Sequence, residues 1–377
     1  MMLRYLQTWW QRRTVMRDLR RVSRNEDEFD IWQFKGTVAE ARAAYARNDQ
    51  RSLQEFWGNI LRRYRKFIPD STDALDLQLD MRRFDEAEQL FKEARARRPR
   101  EPRYAIGLAR VAQRRGDLDQ AISRWREIQR KFPLIADGYF EGAASLTKAG
   151  RFGDAESVLK KGFAKVPEHW HLHMEYARLA EAQGDWQTAL TRWQSLRDRW
   201  PDEAILANVF GTIGVLVCCR RLGRFDEAEA VFLKLRISVP LNPLPALEYA
   251  RIAEDKGDFA EAVRRWEQVM SRFPTWPPGY DGLIKALEKM GKTSEIDKVL
   301  ANAVHRFPDE PNWLIRYARQ ADLRGDHGEA VERWGEVRKQ FPQREEGYRY
   351  GAGALAAAGN DAAANDLRSE HAARFAK

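Results

Sequence analysis

The chain has 377 residues, 44% hydrophobic and 32% charged, enough apolar content for a core, which excludes disorder throughout. Its formal charge is +9 and its cysteines are two, Cys218 and Cys219. Helical neighbours point apart and these two have no metal-ligand spacing, so a disulfide framework and a cysteine-held metal are excluded.

Residues 1–24 carry seven arginines, at 4, 12, 13, 17, 20, 21 and 24, against Asp18. That segment supplies +6, leaving +3 for residues 25–377. A groove for DNA or RNA needs a basic surface along its length, so nucleic acid is not the expected partner. Leu3, Leu6, Trp9, Trp10, Met16 and Leu19 form a loose apolar stripe beside the arginines. Residues 1–35 therefore read as a basic amphipathic helical segment. Its anchor residues Trp9, Trp10, Arg12, Arg13 and Arg17 suit an anionic membrane surface or a membrane protein. The same stripe also suits a cap on the following array or a strip for docking a partner. Glu26, Asp27 and Glu28 follow and offset part of the charge. No uninterrupted apolar run ending in small residues is present, so no cleavable secretory signal is expected.

A proline then recurs at 99, 133, 167, 201, 240, 274, 308 and 342. A glycine recurs at 116, 150, 184, 223, 257, 291, 325 and 359, with Arg82 and Asn48 in the same register earlier. Both series step by 34 residues, with one step of 39. The segments between them have helical periodicity. After Gly257, residues Phe259, Ala262, Val263, Trp266 and Val269 form one apolar face. Before it, Leu244, Leu247, Ala250 and Ile252 or Ala253 form another. Glycine ends the first helix because it takes a left-handed conformation cheaply, and proline ends the second because it cannot continue one. A lone hairpin of this kind cannot bury its apolar face, and stacking completes the core.

A 34-residue helix pair with a small residue, glycine, alanine, a large aromatic and proline at fixed offsets resembles the tetratricopeptide repeat. The small residues are Ala109, Ala143, Ala177, Ala250, Ala318 and Ala352. The second-helix alanines are 87, 121, 155, 189, 228, 262, 330 and 364, and the large residue four further on is Phe91, Trp125, Trp193, Phe232, Trp266 and Trp334. The resemblance covers residues 36–375. It implies an all-α fold, an α-solenoid of about ten helix hairpins wound as a right-handed superhelix over residues 36–377. Leu216 and Ile284 depart from the small-residue pattern, Ile296 from the alanine and Arg368 from the large residue, so those units should pack less regularly.

A longer period overlies the first. Trp57, Trp125, Trp193, Trp266 and Trp334 are separated by 68, 68, 73 and 68 residues. Arg110, Arg178, Arg251 and Arg319 recur in alternate first helices, and Gly-Tyr pairs (138–139, 279–280, 347–348) occupy others. The five extra residues fall near the apolar run Ala204–Cys219, as a longer helix or a bulged loop. That run is shorter than the roughly 20 residues of a membrane span and reads as a buried helix. The irregular unit at 202–223 is a place for a bend, or an edge for a partner or a second copy of the chain.

The resemblance implies a concave groove lined by first helices. Arg110, Arg178, Arg251 and Arg319 stand on that face by the family pattern, with Tyr176, Tyr249 and Tyr317 beside three of them. An arginine ladder suits carboxylates or phosphates along an extended ligand. Glu181, Glu254 and Asp322 lie three residues after three of the arginines and offer local pairing instead. The repeating tryptophans are expected in the core. Trp170, Trp186, Trp200, Trp276 and Trp313 are expected to be partly exposed. His169 and His173 share a helical face but lack an acidic-histidine signature, so no metal is expected. Gly291-Lys292-Thr293 has Ala286 where a phosphate loop needs glycine. No cofactor is expected, and the chain is read as non-catalytic.

The expected function is a scaffold that binds a protein or peptide partner. The alternative implied by the resemblance is an accessory subunit of a bacterial envelope, polysaccharide-assembly or secretion complex. In that role the chain is cytoplasmic and peripheral at the inner membrane, docked by its N-terminal helix.

Overall fold

A computed structural model of the chain describes residues 26–46, 49–202 and 206–375. The anchor residues Trp9, Trp10, Arg12, Arg13 and Arg17, and the early turn residue Asn48, lie outside that range. Every described element is a helix. The chain divides after Gly184 into two compact units.

In the first unit, α1 (Glu26–Ala46) pairs with α2 (Gln50–Arg63), and a 3₁₀ turn at Arg65–Asp70 leads into α3 (Thr72–Asp80) and α4 (Phe84–Arg97). Then come α5 (Pro102–Arg115), α6 (Leu118–Lys131), α7 (Asp137–Lys148), α8 (Phe152–Lys165) and α9 (Trp170–Ala182). Helix α1 runs across the boundary expected at residue 35. The second unit holds α10 (Trp186–Arg199), α11 (Leu206–Arg221), α12 (Phe225–Ser238), α13 (Pro243–Asp255) and α14 (Phe259–Arg272). It ends with α15 (Pro277–Lys289), α16 (Thr293–Arg306), α17 (Pro311–Arg324), α18 (His327–Gln340), α19 (Glu345–Ala357) and α20 (Asp361–Phe375). Within each unit, helices adjacent in sequence pack on one another.

The turns follow from the punctuating residues. All eight register glycines have positive φ, from 67° to 92°, and Arg82 in the same register has φ 57°. Each closes a first helix by a left-handed turn that a β-carbon disfavours. The second helices α4, α6, α8, α10, α12, α14, α16 and α18 end two residues before the register proline, because the residue preceding proline leaves the helical region. Asp49, Asp117, Asp185, Asp258 and Asp326 cap alternate second helices, each carboxylate accepting from the N–H three residues on. Those caps stand eight residues before the five register tryptophans.

The core is built as the pattern implies. The register alanines of the second helices are buried throughout, as are Trp57, Trp125, Trp193, Trp266 and Trp334. Trp125 donates its indole N–H to Gln113, Trp266 to Glu254 at 2.7 Å and Trp334 to Asp322 at 2.7 Å, each twelve residues upstream. Burial favours such a partner for an indole, and the buried Nε1 of Trp57 is an exception, with none among the described residues. The Gly-Tyr tyrosines lock the other joints: Tyr139, Tyr280 and Tyr348 donate to the carbonyls of Pro133, Pro274 and Pro342.

Leu216 and Ile284, large where the pattern calls for small, are buried. The close approach has moved two residues back. A β-carbon on Gly214 would lie 2.2 Å from the Trp193 ring, and one on Gly282 2.3 Å from Trp266. Trp313, expected at the surface, is 4% exposed and packs edge-on to Tyr280 and flat against Phe307. Trp170, Trp186, Trp200 and Trp276 are half-buried. The insertion lengthens a helix: α11 has 16 residues where α13 and α15 have 13. Cys218 and Cys219 lie buried within it and form no disulfide. Among the described residues no helix is long and apolar enough to cross a membrane.

Candidate partner-binding surface

The four register arginines lie on first helices, two in each unit. In the first unit, Arg110 of α5 reaches the next first helix, α7, donating to Asp137 at 3.1 Å with Glu141 at 3.9 Å. Arg178 of α9 is 48% exposed and stands 3.9 Å from Glu175, one turn back. In the second unit, Arg251 of α13 is 45% exposed and donates to Glu248 at 2.8 Å. Arg319 of α17 is exposed, its guanidinium 5.7 Å from the Tyr350 ring centroid.

Arg178 and Arg251 thus each meet a carboxylate three residues back on the same helix. Glu254 and Asp322, offered by the sequence as partners for Arg251 and Arg319, accept the indole N–H of Trp266 and Trp334. A buried indole has no water to bond, so it takes the carboxylate on its own hairpin.

The register tyrosines are half-buried. Tyr249 stacks on Phe232 at 4.1 Å and carries the Arg265 guanidinium 3.6 Å from its centroid. Tyr317 carries that of Arg333 at 3.4 Å. Tyr176 meets Phe163 edge-on at 5.5 Å.

The sequence reading missed these arginines, which stand immediately before register tryptophans. Arg124 donates to the Leu108 carbonyl and to Glu88. Arg265 donates to the Tyr249 carbonyl and to Glu229. Arg333 donates to the Tyr317 carbonyl and forks onto both oxygens of Asp297. Each clamp joins a second helix to its own first helix and to the preceding second helix, 36 residues back. Arg265 and Arg333 are buried, so their guanidinium groups are spent on structure. Their carboxylates Glu229 and Asp297 are held below the usual range. Burial pushes each upward, and the bonds from Lys256 and Arg265, or from Arg333 and Arg324, outweigh it.

Arg220 of α11 makes a further buried pair. It donates to Glu248 at 2.7 Å and also binds Asp255, both on α13. Glu248 thus sits between Arg220 and Arg251.

In the first unit the histidines form an aromatic stack. His169 and His171 lie 5.7 and 4.9 Å from the Phe140 ring, and His171 lies on Trp170 at 3.6 Å. Burial, reinforced by His169, pushes the His171 pKa down, which favours the neutral ring. Among the described residues no group of three or more histidine, cysteine or carboxylate side chains is placed to hold a metal ion.

These features define a helical-repeat array with a polar first-helix face. Residues 78–134, 140–204 and 217–275 match sequence families described as tetratricopeptide repeat. The chain belongs to the tetratricopeptide-repeat family. No curated protein matches it. Among solved structures it is similar to a tetratricopeptide repeat protein from Parabacteroides merdae, at 11% identity over 67% of this chain and 98% of that one, TM-score 0.49. It is also similar to PilW, described as a widely conserved type IV pilus biogenesis factor, at 16% identity over 55% and 94%, TM-score 0.46. A thermophilic repeat protein of Thermus thermophilus is 22% identical over 46% and 93%, TM-score 0.39. An array of this family is a protein-interaction scaffold, because stacked hairpins present a long continuous surface.

Proposed function

We propose that the chain is a non-catalytic scaffold that holds a protein or peptide partner across its first helices. The observation that carries this is the exposure of Arg178, Arg251 and Arg319 at one repeat position, while the neighbouring clamp arginines Arg265 and Arg333 are buried. A guanidinium at the surface takes a carboxylate in two bonds. Arg251 and Arg319 are the contacts expected to matter in the second unit. Reversing both (R251E with R319E) should weaken a partner recovered from the native host by about ten-fold or more, read as Kd on purified protein. Undiminished binding with the fold intact by circular dichroism removes these arginines from the interface.

A second reading is favoured by the charge distribution, with seven arginines within the first 24 residues. In it the chain is an accessory subunit of an envelope or secretion complex, docked by residues 1–24 at a membrane or a membrane protein. Full-length protein should then sediment with membranes, and protein lacking residues 1–24 should not. Equal distribution of the two forms overturns it.

A further inference from the structure

The first-helix face of the first unit has acceptors without donors, and one internal comparison says what they lack. Glu175 of α9 occupies the repeat position that Glu248 occupies in the second unit, counted from the turn glycines 184 and 257. The side chains are equally buried, each 8% exposed. Their partners differ. Glu248 accepts from Arg220 at 2.7 Å and Arg251 at 2.8 Å. Glu175 has among the described residues no hydrogen-bond donor, and its nearest cation is Arg178 at 3.9 Å.

The missing donor can be located by register. Arg220 stands 28 residues before Glu248, and Gln113, 28 residues before Glu141, donates to it at 3.1 Å. The same step back from Glu175 reaches Thr147 on α7, which packs against α9. Threonine is too short for the guanidinium's role. Its Oγ1 is buried and without a hydrogen-bond partner.

Two more orphaned atoms lie at the N-terminal end of α9. The Nδ1 atoms of His169 and His171 are buried and unbonded. His171 lies one turn before Glu175 on α9, hence on the same face, and its ring stacks on Phe140 of α7. The carboxylates Asp137 and Glu141 lie on α7 around it, both engaged by Arg110. The face thus carries a carboxylate with no protein donor among the described residues, an unbonded buried hydroxyl and two unbonded buried ring nitrogens, with stacked aromatic rings beside them. Buried polar groups of this kind call for partners. A guanidinium brings five N–H donors, a positive charge and a flat face for aromatic rings, and it is the group that Arg220 supplies at the equivalent position.

We propose that the α7–α9 face of the first unit is a binding site for an arginine side chain of the partner, received by Glu175 with Thr147, His169 and His171. The site rests on the scaffold reading above and gives the partner's chemistry. Burial pushes the free Glu175 carboxyl up to about 7, with Arg178 opposing and Glu141 and Glu181 adding to the rise. The cation binds the ionised form, so binding strengthens as pH rises through that value.

The test uses N-acetyl-arginine amide as the probe and the full chain. The protein has only six histidines, so ring signals in nuclear magnetic resonance resolve the two beside Glu175. Saturable shifts of His169 and His171 are expected, about ten-fold weaker at pH 6 than at pH 8, since only the ionised fraction binds. The E175Q variant should lose about ten-fold or more in affinity. The T147R variant rebuilds the second unit's arrangement within the chain and should abolish probe binding while raising Tm. N-acetyl-lysine amide should bind more weakly. Absence of saturable shifts, which leaves water to complete the acceptors, overturns the proposal. So does equal affinity in E175Q, or retained binding in a folded T147R. A partner that binds while the probe does not sinks this site and leaves the scaffold standing. Probe binding without any protein partner sinks the scaffold reading alone.

Discussion

Replacing Arg220 by threonine is expected to destabilise the chain by about 3–5 kcal/mol. The side chain is 9% exposed and bridges α11 to α13 through Glu248 and Asp255. Removing it leaves Glu248 buried with Arg251 alone, which is the arrangement that Glu175 has with Arg178. Most of the loss comes from an uncompensated buried carboxylate, not from the value of the pair itself. A charge-neutral repair makes the distinction. Combining R220T with E248Q should recover much of the loss, because the second change removes the stranded charge. A urea midpoint that falls in R220T and rises again in the double variant supports this. The damage should concentrate in hydrogen exchange of α11 and α13, since a stacked array transmits stability mainly between neighbours. A midpoint within about 1 kcal/mol of the parent would mean that water replaces the guanidinium.

What the sequence made legible was whatever acts through backbone punctuation or apolar periodicity. Glycine and proline act on φ locally, so the register residues placed the described turns from Arg82 onward, and Arg82 took positive φ in a glycine's place. The register tryptophans were legible as core for the same reason. Buried charge has no such signature. An arginine at 124, 265 or 333 sits on what periodicity marks as the edge of the apolar face, and its carboxylate is 36 residues away on another hairpin. One cue was present, an arginine before four of the five register tryptophans, repeating with the 68-residue period. The direction of the surface pairing was not legible either. Three residues forward and three back are equivalent on a bare helix. The indole N–H of the following helix breaks that symmetry by taking the forward carboxylate. The close approach at Leu216 and Ile284 was hidden because glycine two residues earlier supplies it, which a fixed-offset pattern does not see.

The second large effect concerns Glu175, and its sign is opposite. An ordinary glutamate has a pKa near 4.5, and in the folded chain this one is pushed up to about 7, chiefly by burial. The folded state thus prefers the protonated form more than the unfolded state does. Its contribution to stability is fully present below pH 4.5 and is lost as pH rises through 7. The difference corresponds to about 3 kcal/mol. The E175Q variant keeps the shape and carries no titrating group. It should be more stable than the parent by up to about 3 kcal/mol at pH 8, with the advantage vanishing toward pH 5. Denaturant midpoints of both proteins between pH 5 and pH 8 measure it directly. Two curves that run parallel across that range would show that Glu175 is ionised throughout and already compensated. A stability-costing carboxylate held in a buried position is what a binding site asks for, since binding the cation removes the penalty that folding accepted. The arginine probe should therefore raise the parent's midpoint at pH 8 and leave that of E175Q unmoved.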